Sequence, residues 1–261
     1  MAQEERLTTE TDSRGVCTLS LNNPEKHNAF DDKLIASLHT TLSEIEKDDA
    51  IRILVLSGKG DTFSSGADLK WMKAAAQRDE VTNQKDSEAL AKLMRALYEY
   101  DKPTVARING SAFGGALGLI ACCDIAIAVR SAQFAFTELR LGLVPAVIAP
   151  YIIKAIGERH ARRLFLSAER FSSDEAIKID LVHQVCDNSE LDKTINHATE
   201  KLLKAGPLSV QACKCLIRSL SPDFSDESSA RLIAQLRASK EGQEGMSAFF
   251  EKRLPSWATT H

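Results

Sequence analysis

Two short stretches combine small residues with positions where backbone chemistry is often done. FSSGADLKWM runs from Phe63 to Met72 and follows an apolar run ending at Gly58; NGSAFGGALGLIACCD runs from Asn109 to Asp124 and follows another, Thr104 to Ile108. Each sets small residues at a strand-to-helix turn. The first peptide N–H groups of a helix have no partner inside it, and the helix dipole makes that end favourable for negative charge. Small side chains there let a ligand oxygen approach the backbone. Two such turns facing one another would form an oxyanion hole. In the second stretch no side chain before Asp124 carries a charge at neutral pH, so the acid or base must come from another segment.

A carboxylate in apolar surroundings follows: Glu138, in FAFTELRLGLVPA. Desolvation would raise its pKa toward the range in which proton transfer near neutrality is efficient. Arg140 would oppose that shift if it pointed inward. Other constellations fail. Gly110 and Gly115 have phosphate-loop spacing, but Ala116 and Leu117 stand where Lys and Ser or Thr would bind phosphate and magnesium. No G-x-G-x-x-G follows a strand, and no G-x-S-x-G forms a nucleophile elbow. The six histidines are scattered, without a His-x-x-x-His pair. No metal site is expected, and His183 reads as structural.

The elements that must position these residues are legible from periodicity. Val16 to Leu21 reads as a strand, and Asp31 to Lys47 as a helix with Asp31 as N-cap, because Leu34, Ile35, Leu38, Leu42 and Ile45 recur at helical spacing. Arg52 to Gly58 is a continuous apolar run, the pattern of a strand buried on both faces, and Thr104 to Gly110 and Ile125 to Val129 resemble it. Strands alternating with helices argue for an α/β fold of parallel crossover units. The charged stretch from Ala74 to Tyr100 reads as a solvated helix, its first part the most lid-like segment present. Beyond residue 188 strand signals stop; Asn188 is placed to cap a helix that Gly206 and Pro207 end. The domain organisation expected is a core over 1–188 and a helical segment over 189–261.

With 261 residues, 26% charged, and a net charge of -3, the chain gives no reason to expect a polyanion partner, so no nucleic acid is expected. The six cysteines lack zinc-site or disulfide-framework spacing and read as reduced core residues. The polar, acidic beginning is neither a signal nor a transit peptide, and no apolar run reaches the roughly 18 residues that span a bilayer. A cytoplasmic protein without membrane attachment is expected.

NNPEKHNAF, FSSGAD, NGSAFGGALGLIACCD, SAQFAFTELRLGLVPA, IGERHARRLFLSA and FFEKRLPSW together resemble the crotonase or enoyl-CoA hydratase superfamily over nearly the whole chain. The resemblance implies a crotonase-like spiral of ββα units with a helical C-terminal trimerisation segment, hence a homotrimer or dimer of trimers. It implies an acyl-CoA substrate whose thioester oxygen sits between the N–H groups of Ala67 and Gly115. No cofactor is implied, coenzyme A being part of the substrate. For the CoA moiety it points to Lys26, His27 and Ala29, to Ser65, Gly66, Asp68 and Leu69, and to Phe249 and Lys252.

Hydratases of the superfamily usually carry two glutamates. Here Gly118 stands at the first position, where it is expected at the substrate, and Glu138 at the second. Isomerases with one glutamate at this place are therefore the nearest rival, and RNA-binding members a more distant one. FSSGADLKWMK and ELRLGLVPAVIAPYIIKAIGERHARR are similar to bacterial methylglutaconyl-CoA and isohexenylglutaconyl-CoA hydratases, which carry the same glycine and act on branched, carboxylated acyl groups. A distal carboxylate needs a cation, and Lys70, Lys73 and Arg140 are the candidates, Lys73 and Arg140 ahead of Lys70.

Overall fold

The computed structural model of the chain describes residues 6–220 and 225–258. β1 (Leu7–Thr11) and β2 (Val16–Leu21) pair antiparallel. α1 (Asp32–Lys47) follows, and Asp31 is its N-cap, accepting the Leu34 N–H. The five apolar residues that predict this helix are all buried. β3 (Ile53–Gly58) is buried at every position, as its unbroken apolar run requires. β4 (Thr62–Ser64), α2 (Leu69–Ala75) and α3 (Glu80–Tyr98) come next. The charged stretch expected as one helix from Ala74 is interrupted: α2 ends at Ala75, and Asp79 restarts a helix by accepting the Thr82 N–H.

β5 (Thr104–Ile108), β6 (Ser111–Phe113) and α4 (Gly115–Cys122) form a second unit. β7 (Ile125–Val129), β8 (Gln133–Ala135), a 3-10 turn at Glu138–Leu141 and α5 (Ala149–Ser167) form a third. β9 (Phe171–Ser172), α6 (Ser173–Lys178) and β10 (Gln184–Cys186) complete the sheets.

The order β1-β2-β3-β5-β7-β10 makes one sheet, parallel from β2 onward; β4-β6-β8-β9 makes another, parallel except between β8 and β9. Each unit thus gives a long strand to one sheet and a short strand to the other before entering a helix. This arrangement is the α/β spiral of ββα units. It also decides where chemistry can occur. β4, β6 and β8 are adjacent and parallel, so the turns leaving their C-terminal ends, which carry Ala67, Gly115 and Glu138, emerge side by side.

α7 (Leu191–Leu203) packs on the larger sheet through Leu191, Ile195 and Leu203. α8 (Pro207–Ser219) and α9 (Asp226–Ala238) bury no residue, and α10 (Lys240–Phe250) buries only Ala248. Asn188 does not cap α7 as expected: it opens a 3-10 turn, Asn188–Glu190, without a side-chain cap. Gly206 and Pro207 start α8 as its N-cap and first residue, where proline's missing N–H costs nothing. All six cysteines are free. Cys17, Cys122 and Cys123 are buried, but Cys186 is half-buried and Cys213 and Cys215 are exposed, so the expectation of six core cysteines is corrected. The last two lie on α8, which buries no residue among the described residues. Among the described residues no helix is long and apolar enough to cross a membrane.

Candidate active site

The first turn is held by a strap from the β2–α1 loop. The Phe30 N–H donates to the Gly66 carbonyl, and the Asp68 N–H to the Phe30 carbonyl, both at 2.7 Å. A trans peptide directs its C=O and N–H to opposite sides. Because the Gly66 carbonyl faces Phe30, the Ala67 N–H points away from it, and that amide donates to no group among the described residues. Gly66 has φ 83°. A Cβ there would lie 2.7 Å from the Phe113 carbonyl oxygen and 3.8 Å from the Gly114 Cα, so the two glycine turns touch through their backbones. Asp68 caps α2, accepting the Lys70 and Trp71 N–H groups at 2.8 and 3.0 Å. Those bonds, Trp71's foremost, hold its carboxyl below the usual range.

In the second turn Gly114 has φ 53° and ψ -127°, a conformation that side chains rarely allow, and donates its N–H to the Ala135 carbonyl at 3.0 Å. Gly115 begins α4, and its N–H has no acceptor among the described residues, as the start of a helix dictates. The Glu138 Oε1 lies 3.5 Å from the point a Gly114 Cβ would occupy. A side chain at 114 would therefore crowd the carboxylate as well as strain the backbone. Glu138 is half-buried, and its Oε2 is fully buried without a hydrogen-bond partner. An unpaired buried acceptor is costly, and at a site of chemistry it marks a place for water or substrate. Burial pushes the Glu138 pKa up, against a smaller pull from the Glu138 and Thr137 backbone N–H groups. Arg140 is exposed and is not among the groups that shift it.

Asp124, the charged residue closing the second stretch, is committed to structure. It accepts the Thr104 N–H at 2.7 Å and the Thr104 hydroxyl at 3.0 Å, and it pairs with the Lys214 ammonium on α8. His183 is structural too, its Nδ1 accepting the Ala126 N–H at 3.0 Å.

Residues 11–260 match the model of the enoyl-CoA hydratase/isomerase family. The chain belongs to that family. It superposes on the crystal structure of an enoyl-CoA hydratase from Shewanella pealeana with a TM-score of 0.93, at 41% identity, covering 98% of this chain and 97% of that one. It is 31% identical to the (E)-benzylidenesuccinyl-CoA hydratase of Thauera aromatica, over 94% of this chain and 96% of the relative. It is 30% identical to the 2,3-dehydroadipyl-CoA hydratase of Escherichia coli, over 93% and 94%. The chain is an enzyme of the enoyl-CoA hydratase type with the crotonase fold, acting on acyl-CoA.

For an enzyme of this family, the residues expected around CoA fall into two groups. Lys26, His27 and Ala29 lie against Ser65 to Leu69: the Lys26 ammonium is 3.6 Å from the Asp68 carboxylate, and the His27 carbonyl accepts the Ser65 N–H at 2.9 Å. Lys26 and His27 are exposed, Ala29 is buried, and Leu69 is 81% exposed beside the first turn. Phe249, 78% exposed, and Lys252 belong to a segment held elsewhere. That segment is fixed where Arg52, before β3, donates to the Trp257 carbonyl at 3.0 Å and where Glu241 accepts the Leu208 and Ser209 N–H groups. The first turn lies beyond the other end of β3.

Gly118, expected at the substrate, is buried against apolar side chains. A Cβ there would lie 2.3 Å from Ile148 Cγ2 and 3.1 Å from Met94 Sδ. Trp71 and Met72 are half-buried, Trp71 against the core, while Lys70 and Lys73 are exposed, the division that helical spacing from Asp68 predicts. Sequence reasoning missed Phe30, whose backbone fixes the first turn and whose ring lies 3.7 Å from the Gly115 Cβ position. Its place just before the Asp31 cap, in the loop implicated in CoA binding, was the available signal.

Proposed function

We propose that the chain hydrates an enoyl-CoA thioester using the Ala67 and Gly115 N–H groups as the oxyanion hole and Glu138 as its single acid-base group. The observation that carries this reading is the carboxylate of Glu138, half-buried and incompletely paired, beside the glycine turn that also supplies a free amide. As water adds to the β-carbon, charge accumulates on the thioester oxygen. Each preorganised donor aimed at that oxygen is worth about 3 kcal/mol. Glu138 accepts a proton from the attacking water and delivers one to the α-carbon, a double duty that a pKa raised by burial suits.

The acyl group in this reading is branched and ends in a free carboxylate, as in 3-methylglutaconyl-CoA or isohexenylglutaconyl-CoA. Support comes from the E. coli relative, a hydratase of 2,3-dehydroadipyl-CoA, a dicarboxylic acyl thioester. Support comes also from Lys70, Lys73 and Arg140, which are exposed and form no ion pair among the described residues. Of these, Lys73 and Arg140 are assigned to the distal carboxylate.

One assay tests both parts: a panel of enoyl-CoAs with and without a distal carboxylate, followed by the absorbance of the conjugated thioester. Faster loss of absorbance with the carboxylated members is the expected result. Equal rates on carboxylated and plain branched substrates would remove the carboxylate assignment. A lone carboxylate with Ile148 filling the space beside Gly118 also favours double-bond migration as a second reading. A gain of absorbance from a 3-enoyl-CoA, with no hydration of any 2-enoyl-CoA, would put an isomerase in place of the hydratase.

A further inference from the structure

We infer that the Ser64 hydroxyl is a positioning group of the active site, setting the direction of the Ala67 N–H without touching substrate. The inference rests on Ala67 being an oxyanion donor. Ser64 ends β4 and is completely buried. Its hydroxyl donates to the Asn28 carbonyl at 2.8 Å and accepts the Gly66 N–H at 3.2 Å.

Gly66 is consequently held on both sides. Ser64 fixes the peptide before it, and the Phe30 N–H fixes the peptide after it through the Gly66 carbonyl. The second of these peptides carries the Ala67 N–H. Glycine at φ 83° has more rotational freedom than any other residue, so releasing the peptide before it leaves the direction of the Gly66–Ala67 peptide resting on the Phe30 bond alone. Oxyanion donors act only when preorganised toward the oxygen, and a small misplacement forfeits much of their effect.

The anchor behind Ser64 is itself rigid. Asn28 is buried in the left-handed region at φ 54°, a conformation that asparagine tolerates better than most residues. Its side chain donates to the Lys59 and Thr62 carbonyls at 3.0 and 2.8 Å and accepts the Asn23 N–H at 2.9 Å. Both amide hydrogens and the amide oxygen are therefore used. A continuous path runs from this fixed amide through Ser64 and Gly66 to Ala67.

Ser64→Ala and the near-isosteric Ser64→Cys, which keeps a weaker donor and acceptor, test the inference. Three readouts are taken on each: kcat and KM on the best enoyl-CoA, the melting temperature, and the absorption of a bound conjugated dienoyl-CoA. That absorption moves to longer wavelength when hydrogen bonds polarise the thioester carbonyl. The expected result for Ser64→Ala is a fall in kcat of about 10-fold, or about 1.4 kcal/mol, with little change in KM and a smaller red shift. Ser64→Cys should fall between it and the unmutated enzyme, and decides the matter if Ser64→Ala does not fold. An unchanged red shift in the folded variant, whatever happens to kcat or melting temperature, would overturn the role of Ser64. Absence of any red shift in the unmutated enzyme would instead remove the oxyanion reading itself.

Discussion

At the residue scale, Glu138 carries a cost that pH should reveal. Its pKa is raised above the ordinary glutamate value of 4.5 by burial. Below 4.5 the carboxyl is protonated in both folded and unfolded chains and contributes nothing. As pH rises through the raised value, ionisation disfavours the folded state, so Glu138 lowers stability most above that window. Glu138→Gln should therefore melt at a higher temperature than the unmutated chain near neutrality, with the gain fading toward pH 4; a gain that grows on acidification would contradict this. Gly118 makes a second prediction. A glutamate there must displace Ile148, so Gly118→Glu should be destabilised by about 1–3 kcal/mol or more, and Ile148→Ala in the same chain should restore part of the loss. Thermal melts of the single and double variants check it, and equal values would rule the steric explanation out. Glu138 and the glycine turns were legible because their chemistry restricts residue type. Ile148, Phe30 and Ser64 were not, because their roles exist only through contacts with segments distant in the chain.

At the element scale, the parallel pairing of β4, β6 and β8 brings the three turns to one edge. Of the other sheet, β2, β3, β5 and β7 were readable from their apolar patterns, as was α1; β1, with one buried residue in five, and the three-residue β10 were not. The short strands were not, since three residues cannot display a period of two, and so neither was the second sheet that aligns the site. The break between α2 and α3 was missed because Asp79 acts through a cap, a local bond that competes with continuous helix. Contact between the turns yields a further test. Gly66→Ala adds a left-handed penalty of roughly 1–2 kcal/mol and drives a methyl against the Phe113 carbonyl. Its kcat should fall by more than that stability loss would suggest, because separating the turns separates the Ala67 and Gly115 amides. Urea unfolding and kinetics on one preparation check this. A variant that loses stability but keeps kcat would show that the turns need no such contact.

At the scale of the whole molecule, the C-terminal helices are tied to the core by polar bonds yet leave much apolar surface outside. Lys214 pairs with Asp124 and Gln211 donates to Asp101, whereas Ile217, Leu220, Ile233, Phe249 and Phe250 are exposed. Leu141, Leu143 and Val144, just after Glu138, are exposed as well. Surface of this kind fits association between copies of the chain; if it is the homotrimer or dimer of trimers that the family resemblance implies, the mass measured by light scattering should be a multiple of three chains. Removing residues from Asp226 onward should leave aggregated or inactive protein; a monodisperse, active monomer would refute the assembly. The proposed chemistry rests on two backbone amides, those of Ala67 and Gly115, and one carboxylate, that of Glu138. Its most direct test is turnover by Glu138→Gln on the best enoyl-CoA, with acyl-CoA affinity measured on the same sample. A fall of at least about 100-fold, with affinity nearly intact, is the predicted result; near-normal turnover would contradict the assignment of Glu138 as the sole acid-base group.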